Sequence, residues 1–187
     1  TKEPNRLTEY LVPKRSRFSN CVRVADNYIE IVNSIFTIPI MFGNSDLVAK
    51  IENLVYPKYD MRQKNIHNQD ILTIACCYNC TSLINKYSKR LQPKESDVKY
   101  IIKHDNLAVM LKNDSYQNSI TIPAIVRQAI LFKSYLILNY YSKSLTFEQK
   151  NMALDRIIER NYGDGFMIIL NDKNYVKYLC SDKCNSS

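Results

Sequence analysis

The stretch IACCYNCTSLINKYSKRL, residues 74–91, is apolar almost without a break at its start and basic at its end. Extended backwards, it begins near Gln69. Asn68 is a suitable N-cap, and Asp70 falls in the first turn, where a carboxylate favours the helix dipole. Residues Ile71 to Tyr78 are apolar on nearly every side apart from Thr73, which puts such a helix in the middle of a domain. Lys86, Lys89 and Arg90 close it with cations. The spacing therefore predicts one helix from about Gln69 to Leu91, buried in its first half.

A second stretch, PAIVRQAILFKSYLILNYYSK at 123–143, reads the same way, with Thr121 and Pro123 at its start. Its longest apolar part, AILFKSYLILNYY at 129–141, is broken by Lys133 and is too short to span a bilayer. Around these two buried central helices the periodicity predicts amphipathic ones. They are DNYIEIVNSIFT (26–37), DLVAKIENLVY (46–56, stopped by Pro57), SDVKYIIKHD (96–105) and FEQKNMALDRIIERNY (147–162). Thr146 and Gln149 have the spacing of a capping box for the last, and Gly163 is placed to end it. NLAVMLKND, at 106–114, fits a helix or a strand. FMIIL and YVKYL flank NDKN and read as a β-hairpin turning on Asn171 and Asp172. No internal repeat or low-complexity tract is evident. The expected fold is mainly α. A single bundle-like domain of six or seven helices spans 21–187, with two buried central helices and a small C-terminal β-hairpin, behind a basic arm at 1–20.

Only Gly43, Gly163 and Gly165 are available where close backbone approach to a ligand is needed. Glycine-rich phosphate loops, dinucleotide fingerprints and nucleophile elbows cannot be written with three glycines. Asparagine, isoleucine and tyrosine are abundant and tryptophan is absent. This bias towards A/T-rich codons is like that of many small proteins of large DNA viruses.

Cys76, Cys77, Cys80, Cys180 and Cys184 allow three readings. Four thiolates would suit zinc, but the C-x-x-C pair sits inside an apolar helical run, and His67 and His104 stand in no ligand spacing. Disulfides, with the N-x-[ST] acceptors at Asn79, Asn113 and Asn185, would suit a secreted helical ligand. The polar N-terminal stretch does not read as a signal peptide. The preferred reading is reduced cysteine packed as a small hydrophobe, with Asn79 inside the helix. No metal or cofactor is expected, and a cytoplasmic or nuclear location, for instance in an infected host cell, follows.

The formal net charge is +8. Residues 1–24 carry +4 of it and residues 86–103 the other +4, while the remainder is balanced. Such concentration suits phosphate binding, because cations that neutralise phosphates release counterions. Lys14, Arg15, Arg17, Lys86, Lys89, Arg90, Lys94 and Lys99 are the expected phosphate contacts, with Tyr87 or Tyr100 stacking on bases. Glu148, Asp155 and Glu159 interleave with Lys150, Arg156 and Arg160 and read as a solvated ion-pair face. Asp164 in YGDG reads as a turn residue. No catalytic residues are assigned. The sequence thus points to a non-enzymatic helical protein binding RNA or single strands. The alternative is a protein–protein adaptor that docks through Phe36, Ile40 and Phe42 of the apolar run IFTIPIMF.

Overall fold

A computed structural model describes residues 35–55, 60–65 and 67–184. The basic arm, with Lys14, Arg15 and Arg17, lies outside the described residues, as does most of the helix expected at 26–37. Among the described residues the chain is mainly helical and contains no strand. It divides into two compact units after Leu91.

The first unit contains helical residues at 35–41, then α1 (Ser45–Val55), α2 (Ile71–Cys77) and α3 (Thr81–Tyr87). The second contains α4 (Glu95–Lys103), α5 (Leu107–Lys112), α6 (Asp114–Asn118), α7 (Ile122–Phe132) and α8 (Tyr135–Tyr141). After a 3-10 turn, Ser142–Ser144, come α9 (Phe147–Glu159), α10 (Gly163–Leu170) and α11 (Lys173–Cys184). There are more helices than the periodicity predicts because both expected central helices are broken. One breaks at Asn79 and the other at Lys133, each of which adopts positive φ, 54° and 56°.

Those breaks belong to a series. Gly43, Asn79, Asp105, Lys133 and Asn161 all sit in the left-handed region. The last four recur at intervals of 26, 28 and 28 residues. Each makes the same turn. At Lys133 its own N–H donates to the Ile130 carbonyl at 3.2 Å, and the Ser134 N–H donates to the Ala129 carbonyl at 2.8 Å. At Asn161 the matching bonds run to Ile158 and, from Tyr162, to Ile157, both at 3.0 Å. This pair of bonds satisfies the last carbonyls of one helix and reverses the chain into the next. Among the described residues a helical hairpin therefore recurs, which the sequence reading did not detect.

Packing within the second unit follows from that repeat. Helices pair within each hairpin, α4 with α5, α7 with α8 and α9 with α10. The leading helices α4, α7 and α9 pack side by side, and the following helices α8 and α10 do likewise. The second unit is thus a side-by-side stack of helical hairpins, continuous through its leading helices. Polar bonds tie successive turns together. The Asp105 carboxylate accepts from the Leu136 and Ile137 amides at 2.8 and 2.9 Å, and the Ser134 hydroxyl donates to the Ile102 carbonyl at 2.5 Å. In the first unit, α1 and α3 are linked by a hydrogen bond between the Ser45 and Ser82 hydroxyls, 2.6 Å apart, and by the Lys86–Glu52 ion pair.

Asp105 thus caps α8 from the neighbouring hairpin. Asp105→Ala removes the acceptor for two helix N-terminal amides and is expected to cost about 1.5 kcal/mol. Asp105→Asn keeps one acceptor oxygen and the left-handed preference, so it should cost less. Urea unfolding of the three proteins checks the order, and equal midpoints would count against this tie.

The expected C-terminal β-hairpin is absent. Residues 163–170 form α10, with Gly165, Ile168 and Ile169 buried at helical spacing while Phe166 and Met167 face out. Asp172 does not turn a hairpin; it caps α11, accepting from the Asn174 and Tyr175 amides at 2.9 and 3.2 Å. Gly163 opens α10 instead of ending α9, a task that Asn161 performs. Smaller shifts follow the same logic. Asp70, not Asn68, caps α2 through the Thr73 amide, and Asn79 lies in a turn. The undecided segment 106–114 is helical, with Asn106 capping α5. Other readings agree with the structure: α1 starting one residue before its expected start, the Thr146–Gln149 capping box of α9, and Val98, Ile101 and Ile102 buried on α4.

Candidate interaction surfaces

The expected phosphate contacts at 86–103 are divided by the unit boundary. In the first unit, Lys86 is engaged by Glu52 and stands 5.5 Å from the Tyr87 ring centre. Tyr87 itself is wholly buried, so its ring belongs to the core. Lys89 and Arg90 are exposed in the turn after α3, and neither forms an ion pair with another described residue. In the second unit, Lys94 precedes α4, its amide donating to Asp97 at 2.9 Å. Lys99 pairs with Glu95 at 2.9 Å, and Tyr100 is half-buried.

The apolar run at 35–42 alternates between core and surface. Phe36 and Ile40 are completely buried, whereas Phe42 is 75% exposed beside the exposed Ile38 and Met41. The helical turn of the run explains this split, since residues 36 and 40 share a face that 38, 41 and 42 do not.

The carboxylate–cation face on α9 is not a set of ion pairs along the helix. Lys150 is buried and bonds to Asp172 at 2.5 Å, with the Phe147 and Tyr175 rings each 5.8 Å away. Arg156 and Arg160 form no ion pair with another described residue. They instead border a groove between α7 and α9. One cavity there, of about 300 Å³, is lined by Ala124, Val126, Ile130, Leu145 and Ala153, with Arg127, Met152 and Arg156 at its edge. A neighbouring recess of about 210 Å³ gathers Arg127, Arg156, Arg160 and Glu159. The alanines explain the opening, because short side chains on neighbouring helices leave space between them. Arg127 gave no signal in the sequence, since Ala153, Arg156 and Arg160, which join it at the groove, come from the next hairpin.

The second surface lies on α8 and α10. Ile137, Leu138 and Tyr141 point into the core of the unit, while Tyr135, Leu136 and Tyr140 are each about half exposed. Met167 is exposed on α10 next door. Burial, and then the Asp164 carboxylate, push the Tyr162 hydroxyl up to about 12. Burial likewise raises Tyr141 and Tyr175. A tyrosine ionises more readily in the unfolded chain than in this fold, so stability is complete below pH 10 and falls as pH rises towards 12. Absorbance of tyrosinate against pH should show Tyr162 ionising together with unfolding, and the late step should shrink in Tyr162→Phe to what Tyr141 and Tyr175 leave.

Among the described residues no group of three or more histidine, cysteine, aspartate or glutamate side chains is placed to hold a metal ion. Cys76 and Cys80 are buried within the α2–α3 hairpin. No described helix is long and apolar enough to cross a membrane. No protein-family model, curated protein or solved structure matches the chain.

Proposed function

We propose that this chain is a helical-hairpin interaction protein that binds a protein partner through the outward face of α8 and α10. The observation that carries this reading is the exposure of Tyr135, Leu136, Tyr140 and Met167 on helices whose inward residues are fully packed. Ile137, Leu138, Tyr141, Ile168 and Ile169 fill the inward faces of these helices, so the outward side chains are left to solvent. Tyrosine and methionine are the residue types enriched at the centres of protein interfaces. A cytoplasmic or nuclear setting, where the cysteines stay reduced, fits this reading. The test is affinity capture with the intact chain and with a Tyr135→Ser/Leu136→Ser/Tyr140→Ser variant of unchanged circular dichroism. A partner that survives washing with wild type and disappears with the variant supports the reading. An identical captured set from both proteins overturns it.

A second reading, binding of RNA or single strands, is favoured by the net charge of +8 and by Lys89 and Arg90 standing exposed. Lys14, Arg15 and Arg17, outside the described residues, would add cations. Affinity for a fluorescent oligonucleotide should then fall steeply between low and physiological salt, by about one power of the salt concentration per phosphate contact. Absence of binding in dilute buffer excludes it.

A further inference from the structure

We propose that the groove between α7 and α9 is a recognition pocket for an acidic peptide segment: an apolar side chain on the groove floor, with flanking carboxylates held by Arg127, Arg156 and Arg160. This rests on the protein-binding reading above but uses a different surface.

Two properties of the groove have to be met together. Besides the arginines its lining is mostly aliphatic, with Val126, Ile130, Leu145 and Ala153 joined by the polar Thr121 and Gln149, and a cavity of about 300 Å³ is at the lower end of ligand-sized spaces. Its rim carries three guanidiniums against the one carboxylate of Glu159. None of the three guanidiniums forms an ion pair or side-chain hydrogen bond with another described residue. The fork of an arginine matches a carboxylate in two parallel bonds, and its weak hydration makes it suited to ion pairs beside apolar surface. A purely anionic ligand leaves the floor wet, and a purely apolar one leaves the arginines unmatched. An apolar residue flanked by aspartate or glutamate meets both. Nucleic acid fits less well, because stacking needs aromatic rings and the lining of neither cavity contains one.

The test uses fluorescence anisotropy with the full chain and a labelled peptide, acetyl-Glu-Asp-Leu-Phe-Glu-Asp-amide. Its neutral counterpart, Gln-Asn-Leu-Phe-Gln-Asn, and its counterpart lacking the apolar centre, Glu-Asp-Ser-Ser-Glu-Asp, are controls. The acidic apolar peptide should bind best at low salt, and each control should lose about tenfold, the equivalent of one good contact. Arg127→Glu/Arg156→Glu should abolish binding. Ala153→Met, which fills the groove without touching charge, should also weaken it; Arg127→Gln/Arg156→Gln provides a milder change should charge reversal disturb folding. The Tyr135→Ser/Leu136→Ser/Tyr140→Ser variant should bind the peptide normally, which separates this pocket from the α8–α10 face. The proposal fails if the acidic peptide does not bind, or if binding ignores the arginine variants. It also fails if an oligothymidine binds more tightly through the same arginines, which would make the groove a nucleic-acid site.

Discussion

Asp172→Ala is expected to lower the stability of this protein by about 2–3 kcal/mol, because it strands a buried cation beside a partly exposed carboxylate position and uncaps a helix together. Lys150 is only 3% exposed, and its ammonium bonds to the Asp172 carboxylate at 2.5 Å. Breaking a buried pair by removing one member leaves the other charge without compensation. The same carboxylate accepts from the Asn174 and Tyr175 amides at the start of α11. Lys150→Met removes the charge and keeps the volume, so it should cost far less, as should Lys150→Met combined with Asp172→Asn. Urea unfolding followed by circular dichroism measures all three. If Asp172→Ala and Lys150→Met cost the same small amount, the pair is not acting as described. The pH dependence has a defined sign. The hydrogen bond from Lys150 holds the Asp172 carboxyl below its usual value of 3.8. The stabilisation is therefore present above that value and is lost as the pH falls through the folded-state value beneath it. Wild type should lose stability in that acid window more than the Lys150→Met protein does.

Gly165→Ala is expected to destabilise by about 2 kcal/mol, and Gly165→Leu by about 3 kcal/mol. Ordinarily alanine in a helix gains about 1 kcal/mol over glycine. Here a Cβ at residue 165 would lie 2.5 Å from Cδ1 and 2.9 Å from Cε1 of Tyr162. That ring is buried and rigid, and cannot give way as the end of a flexible chain can. Overpacking therefore outweighs propensity. The sign should reverse once the ring is gone: in a Tyr162→Ala background, Gly165→Ala should be stabilising. A double-mutant cycle measures that coupling directly. Additive effects would show that the contact is not what restricts residue 165.

The helical class was legible because helix-period apolar spacing is strong over most of the chain. Individual starts were legible where a side chain caps them, as Thr146 and Gln149 do for α9. The turns were not. Glycine and proline are the usual punctuation of a helix, but the left-handed position is filled here by Asn79, Asp105, Lys133 and Asn161. A left-handed residue with a side chain costs about 1–2 kcal/mol, a price met by packing that no local window displays. A signal existed at longer range. Apolar residues recur four before and four or five after each turn, as in Ala75 with Leu83 and Ile84, Ile101 with Val109 and Met110, and Ala129 with Ile137 and Leu138. The apolar run 166–170 was ambiguous because five such residues fit either period, and a following Asp can open a helix as well as a hairpin.

The candidate surfaces were less legible still. Of the residues singled out by charge clustering, Lys89 and Arg90 are exposed, but Tyr87 faces the core and Lys86 and Lys99 are engaged by Glu52 and Glu95. Arg127 and Arg156 meet only because successive hairpins stack, bringing together residues that a linear reading treats as strangers.

Stacking also leaves one hairpin unlike the others. Three residues before the turn, Ile40, Cys76, Ile102 and Ile130 are sealed, yet Ile158 is 64% exposed; five after it, Val48, Ile84, Met110 and Leu138 are sealed, yet Phe166 is 37% exposed. With less covering it, α9–α10 should be the place where the second unit begins to unzip. Opening would then travel inward one hairpin at a time, so amide exchange should slow stepwise from α10 to α8 rather than uniformly.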